Sequence, residues 1–143
     1  MAMINYIVGS LEKIDFVVIF TRYEDKWVYC WHKKRESFEH PAGHVEANES
    51  PLQAAKRELY EETGIKDCDI IPLWDYEYIW EDDKGRNTGR VYLAIAHSLG
   101  SIPESEMDRI ELFDNVPDNY TYNREEEIRD LLMVERIWKT YMD

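Results

Sequence analysis

Residues 50–64 read SPLQAAKRELYEETG and mark out one helix with both ends specified. Ser50 suits the N-cap, Pro51 the first helical position, and Gln53 the far side of a capping box. Gly64 supplies a left-handed stop after Thr63. Leu52, Ala55 and Leu59 recur at helical spacing and are expected to face the core. Glu58, Glu61 and Glu62 stand at i, i+3 and i+4, so their carboxylates share one face beside that apolar stripe. Like charges at this spacing cost a helix about 0.2–0.5 kcal/mol per pair. Glu61 and Glu62 also fall in the last turn, where the macrodipole disfavours an anion by about 0.3–1 kcal/mol. Arg57 is placed to pair with Glu61, in the weaker orientation. Such an ending calls for a cation, and clustered oxygen donors are what Mg²⁺ or Mn²⁺ prefers.

The helix lies mid-chain among segments with strand character. Ile14–Thr21 and Lys26–His32 are β-branched and aromatic, and the Tyr-Glu-Asp between them predicts a hairpin. Within the second run, Trp27, Tyr29 and Trp31 alternate with Val28 and Cys30. Lys33–His40 is polar and reads as a loop. Asp69–Trp80 reads as a long strand with Trp74, Tyr76, Tyr78 and Trp80 on one face. Asp82–Gly89 reads as a turn, and Arg90–His97 as a returning strand. Gly100–Tyr122 is irregular, with a short strand at Arg109–Phe113. Asn123 is expected to cap a final helix, with Glu126 in the capping-box position; Ile128, Leu131, Leu132, Glu135 and Trp138 follow, and the apolar members of that series fit a packing face. The order predicts an α/β or α+β fold in which helices pack on a mixed sheet.

With 143 residues and no repeat or linker, the chain is read as a single domain, 1–143. Apolar residues at 44% and aromatics at 13% exclude a disordered acidic tail. A net charge of −13 argues against a nucleic-acid polymer as partner, since phosphate affinity comes mainly from Lys and Arg. A small polyphosphate remains compatible if a metal stands between it and the protein. No run approaches the length of a membrane span. Met1–Glu12 lacks the basic-then-apolar pattern of a signal peptide. Cys30 and Cys68 form no metal-ligand pair and read as reduced thiols, so the expected compartment is the cytoplasm.

The stretch Gly43–Ile65 resembles the Nudix box of MutT-like hydrolases, G-x5-E-x7-R-E-U-x-E-E-x-G-U with U aliphatic. Gly43, Glu49, Arg57, Glu58, Leu59, Glu61, Glu62, Gly64 and Ile65 match it. Drawn at random from this composition, such a match has a probability of roughly 10⁻⁷ over the whole chain. The resemblance implies an α/β/α sandwich, a mixed sheet with helices on both faces, and a Mg²⁺-dependent (or Mn²⁺-dependent) hydrolase. Its substrate would be a nucleoside diphosphate linked to another group, here a nucleoside triphosphate (an oxidised one included) cleaved to monophosphate and pyrophosphate. By the same resemblance Glu58, Glu61 and Glu62 hold the metal with the carbonyl of Ala42. Glu58, Glu62 or a downstream acid then takes the proton from water. Arg57 orients a glutamate, with Glu49 and Gly43 supporting the ligands.

Ala42 stands where many nucleotide-sanitising relatives carry a second glycine. Other substrates remain as alternatives: dinucleoside polyphosphates, ADP-ribose, nucleotide sugars and, with a weaker match, isoprenyl diphosphates. A non-catalytic nucleotide-binding sensor is the rival outside catalysis. Glu106 and Glu111 are candidates for a further acid or base. Asn119, Tyr120, Trp27, Tyr78 and His44 are candidates for holding the substrate, because bases are gripped by aromatic faces and a few polar groups. Lys33, Lys34 and Arg35 form the compact basic run and could meet terminal phosphates. The aromatic face is also compatible with a homodimer.

Overall fold

A computed structural model describes residues 2–80 and 85–142. The strands are β1 (Ala2–Ile7), β2 (Phe16–Tyr23), β3 (Lys26–His32), β4 (Ser37–Glu39), β5 (Ala42–His44), β6 (Cys68–Ile79), β7 (Arg86–Ala96) and β8 (Met107–Phe113). The helices are α1 (Pro51–Thr63) and α2 (Arg124–Met142). One mixed sheet runs β1-β6-β7-β2-β3-β4, with β5 paired to β2 and β8 to β3. β2 pairs with β7 in parallel, in register from Phe16 opposite Gly89 to Tyr23 opposite Ala96, and its pairings with β3 and β5 are antiparallel.

Local chemistry accounts for α1. Ser50 Oγ accepts from the Gln53 N–H at 3.1 Å, and Gln53 Oε1 accepts from the Ser50 N–H at 2.8 Å. Gly64 closes the helix at φ 81°, donating its N–H to the Tyr60 carbonyl. The buried stripe differs from the one expected. It runs through Ala54, Ala55, Leu59, Glu62 and Thr63, while Leu52 is exposed. Helix α2 begins as expected, with Asn123 Oδ1 accepting from the Glu126 N–H at 3.1 Å. It buries Glu127, Leu131 and Val134, whereas Ile128 and Leu132 face outward.

Two apolar clusters flank the central strands. Val91 and Leu93 of β7 pack with Leu131 and Val134 of α2, Trp74, Tyr76 and Tyr29. Tyr92 and Ala94 pack with Ala54, Ala55 and Leu59 of α1. Successive side chains of a strand point to opposite sides, so the clusters lie on opposite faces of the sheet. The sheet places β5 against α1 and thereby brings Ala42 and Gly43 to the acidic end of that helix.

Two expectations about strands are corrected, and two strands are found where none was assigned. Residues 37–39, read as loop, form β4 because they pair with β3. The short β5 forms by pairing with Phe16–Val18. The N-terminal β1, unassigned in sequence, pairs along β6 from Ala2–Ile79 to Ile7–Trp74. The turn expected at Asp82–Gly89 is partly strand: Arg86–Gly89 continue β7 opposite Tyr76–Ile79. The rest of that segment, up to Lys84, lies outside the described residues.

Candidate active site

The three helix glutamates occupy different environments. Glu62 is buried at 4% exposure, and its Oε1 accepts the Ala42 N–H at 2.8 Å. Glu58 is largely covered, and Glu61 stands at the rim with its side chain 49% exposed. Gly43 explains how Glu58 can lie there. A Cβ on residue 43 would fall inside the Glu58 carboxylate, so only glycine leaves the room.

Arg57 organises the same end of the helix. Its Nε donates to Glu49 Oε2 at 2.7 Å and its Nη2 to Glu49 Oε1 at 2.9 Å, a two-pronged grip. Nη1 reaches Glu58 Oε1 at 2.8 Å and Glu61 Oε2 at 3.4 Å. Nη2 also donates to the His44 carbonyl at 3.0 Å, fixing the end of β5. Glu49 in turn accepts the Glu46 N–H at 3.0 Å. The Arg57 hydrogen bonds hold the Glu49 carboxyl down to about 2.

Electrostatics separate the ligand candidates from this clamp. Burial raises the Glu62 carboxyl to about 8, against the pull of the Ala42 N–H, and Glu58, Glu106 and Glu39 add to the rise. Burial also raises Glu58, which Arg57 partly offsets and Glu61 and Glu106 reinforce. Glu106 stands just before β8. Glu111 on β8 instead pairs with Arg109 at 2.7 Å. Glu39, which sequence reasoning passed over, is 4% exposed and accepts from Arg35 and from Thr121 Oγ1 at 2.7 Å. It ended a segment read as loop, so nothing in the sequence marked it as inward-facing.

Whether these residues suit a divalent cation turns on Glu62. A carboxylate this deeply buried, beside other carboxylates and held by one backbone N–H, is costly to ionise without a positive partner. The donors around it are all oxygen, as Mg²⁺ and Mn²⁺ require. Among the described residues, no three acidic, histidine or cysteine side chains already converge as a cage. Glu58 is turned toward Arg57. The donor set fits the ion in chemistry, and Glu58 is the side chain that would turn to complete it.

A groove leads away from Ala42. Its inner cavity, about 220 Å³, is lined by Ala42, Phe20, His40, Trp74, Tyr76 and Tyr120, among others. It continues through Phe16, Tyr76 and Tyr122 into an outer part of about 740 Å³ that reaches His44, Tyr78 and Trp80. Gly89 lets the Tyr76 ring lie flat across β7, because a Cβ there would collide with it. Of the sequence candidates, Tyr120, Tyr78 and His44 thus line the groove. Trp27 is buried beneath the Arg22 guanidinium, 4.8 Å from its ring centre. Asn119 is spent on the fold: its Nδ2 donates to the Glu36 carbonyl and its own carbonyl accepts the Phe38 N–H, both at 2.9 Å. Lys33 is similarly engaged with the Ser105 carbonyl at 2.9 Å.

The chain has known relatives. The model of the NUDIX domain matches residues 12–116. The chain belongs to the NUDIX family. The NUDIX chain is 36% identical over 88 residues to an RNA pyrophosphohydrolase of Bartonella henselae, which covers 56% of this chain and 51% of that protein. It is 51% identical over 42 residues to a probable DHNTP pyrophosphohydrolase of Lactococcus lactis, covering 29% of this chain and 25% of the relative. It thus spans about half or less of the curated relatives it matches. A mutant of the Bacillus subtilis pyrophosphohydrolase BsRppH superposes with a TM-score of 0.73 over 86% of this chain and 78% of that one, at 24% identity. At that identity the likeness speaks to the NUDIX fold.

Proposed function

We propose that this NUDIX chain is a divalent-cation-dependent pyrophosphohydrolase that cleaves a nucleoside triphosphate to monophosphate and pyrophosphate. The observation that carries the reading is one junction: Ala42 both donates to Glu62 and lines the aromatic groove. A nucleotide whose base lies in that groove directs its phosphates toward the glutamates. Glu58, Glu61 and Glu62, with the carbonyl of Ala42, would hold the cation. When bound, it supplies neutralisation of phosphate charge and an acidified water.

The chain's own groups do the rest. Glu58, Glu62 or Glu106 accepts the proton of the attacking water, and burial raises the carboxyls of Glu58 and Glu62 toward that role. Arg57 keeps Glu58 and the His44 backbone in register, and Glu49 keeps Arg57 in place. Two cysteines without a disulfide support the cytoplasm as the compartment.

A second reading takes the 5′-triphosphate end of an RNA, as the names of the Bartonella henselae and Francisella philomiragia relatives suggest. The charge of −13 favours the free nucleotide, because extended contact with a polymer has few cations to rest on. The test is incubation with Mg²⁺ and a panel of nucleoside triphosphates, triphosphate-ended RNA, ADP-ribose and dinucleoside tetraphosphate, with release of phosphate and pyrophosphate measured. Pyrophosphate from the free triphosphates is the expected result. A preference for the RNA end selects the second reading, and no release from any substrate refutes both.

A further inference from the structure

Glu127 takes no part in the proposed chemistry, yet it is buried at 4% exposure in the first turn of α2, where a helix N-terminus favours a carboxylate. That turn is itself fixed. Asn123 caps it, and Arg124 donates to the Val116 and Pro117 carbonyls at 3.0 and 3.2 Å. Side chains from three other parts of the chain converge on Glu127. Tyr29 Oη on β3 donates to its Oε2 at 2.7 Å, Tyr120 Oη donates to its Oε1 at 3.2 Å, and His40 Nε2 pairs with its Oε2.

Two of these partners stand beside the candidate site. Tyr120 lines the inner cavity. Its backbone is zipped to β4 on either side, by the Phe38 N–H donating to the Asn119 carbonyl and the Thr121 N–H donating to the Phe38 carbonyl, both at 2.9 Å. Glu127 fastens the far end of its ring. His40 comes two residues before Ala42 and lies against Phe20 and Tyr29, with ring centres 4.0 and 4.7 Å away. Beyond it the Pro41 carbonyl accepts the Ile19 N–H at 2.9 Å, and the Ala42 N–H donates to Glu62 at 2.8 Å. A continuous run of polar contacts and backbone therefore leads from Glu127 through residues 40–42 to the helix glutamates.

We infer that Glu127 is a positioning residue that holds the groove wall and the Ala42 strand in one frame, so that a nucleotide seated in the groove brings its phosphates to a cation at the helix glutamates. This rests on the pyrophosphohydrolase reading of the same site. Apolar side chains would close the same seam without desolvating polar groups. What a carboxylate adds is direction, because one oxygen orients Tyr120 and the other orients His40. A misplacement of about 1 Å between groove and cation is enough to slow such a reaction ~100-fold.

Binding measured without turnover separates the two arms. Mn²⁺ affinity is read by electron paramagnetic resonance, and affinity for α,β-methylene-ATP and α,β-methylene-GTP by calorimetry at saturating Mg²⁺. His40→Phe keeps a ring and removes the strand arm; it weakens Mn²⁺ about 10-fold and leaves the analogues' affinity in place. Tyr120→Phe removes only the hydroxyl; it weakens the better-bound analogue about 3-fold or more and leaves Mn²⁺ affinity in place. Glu127→Asp, one methylene shorter, weakens both and lowers kcat about 10-fold or more at a temperature where melting shows it folded. If the aspartate variant does not fold, the two phenylalanine variants decide. Both of them moving the same affinity, neither moving any, or no binding of millimolar analogue to the wild-type protein overturns the inference. Affinities that split as expected in a protein releasing no pyrophosphate from any triphosphate remove the hydrolase reading and leave the positioning one. Turnover of triphosphates with both affinities indifferent to the variants does the reverse.

Discussion

Arg57 holds the carboxylate of Glu49, eight residues behind it, through hydrogen bonds of 2.7 and 2.9 Å from the two prongs of one guanidinium. The same side chain touches Glu58, Glu61 and the His44 backbone. One guanidinium serves all of these partners, so its geometry matters beyond its charge.

Arg57→Lys is therefore expected to lose activity almost as fully as Arg57→Ala. A lysine keeps the charge but cannot span Glu49, Glu58 and His44 together. A fall in kcat of about 100-fold, with circular dichroism retained, is the expected outcome. A lysine variant with wild-type kcat would show that charge alone suffices.

Removing the buried carboxylate should separate catalysis from stability. In metal-free protein the folded Glu62 carboxyl titrates near 8 instead of 4.5. Between those values the fold keeps a proton that the unfolded chain has released, so stability falls as pH rises through the window. EDTA-treated protein should melt higher at pH 5.5 than at pH 8, and Mg²⁺ should raise the pH 8 value. Glu62→Gln should flatten the pH dependence, with an effect on the order of 2 kcal/mol at pH 8. It should also reduce turnover by at least about 100-fold. A melting temperature indifferent to Mg²⁺ would contradict the assignment.

Gly43→Ala tests close packing at the site. The added methyl must push the Glu58 carboxylate aside, and that group is the mobile end of its side chain. Folding should survive while kcat drops by about 10-fold or more. Thermal melting and steady-state kinetics on one preparation distinguish this from general damage.

Asp75 and Arg90 form a buried ion pair away from the helix glutamates. Asp75 is fully buried on β6, and Arg90 Nε on β7 donates to it at 2.6 Å. Gly9 and Leu11 N–H groups donate to its other oxygen at 2.9 and 3.3 Å. Burial opposes ionisation, but Arg90 and these amides prevail and hold the carboxyl below its ordinary 3.8. The stability this contributes is present above pH 4 and is lost as pH falls below it. Asp75→Ala strands the guanidinium and should cost about 3 kcal/mol, read by urea denaturation.

How legible all this was depended on locality. Helix α1 announces itself because Ser50, Gln53 and Gly64 act within a few residues of one another. The matched glutamates and arginine inherit their relative placement from that helix. Strands β4 and β5 are three residues each, too short for a period, and exist only because β3 and β2 pair with them. The polar start of β7 is extended because β6 lies opposite, and β1 likewise. Leu52 and Ile128 fit the helical period, yet neither meets a neighbouring element that covers it. Glu39 acquired its place through burial, which pairwise spacing in the sequence does not encode.

The parallel junction of β2 with β7 also dictates an order of assembly. Val17 and Val18 lie near the start of the chain, and Val91, the neighbour that pairs with Val18, emerges from the ribosome much later. Until then the β2–β3 hairpin has a bare apolar flank, a template for wrong pairings. Closing so distant a seam makes folding slow for a protein of this size, and conditions that hasten synthesis would raise the share of chains that aggregate before the seam can close.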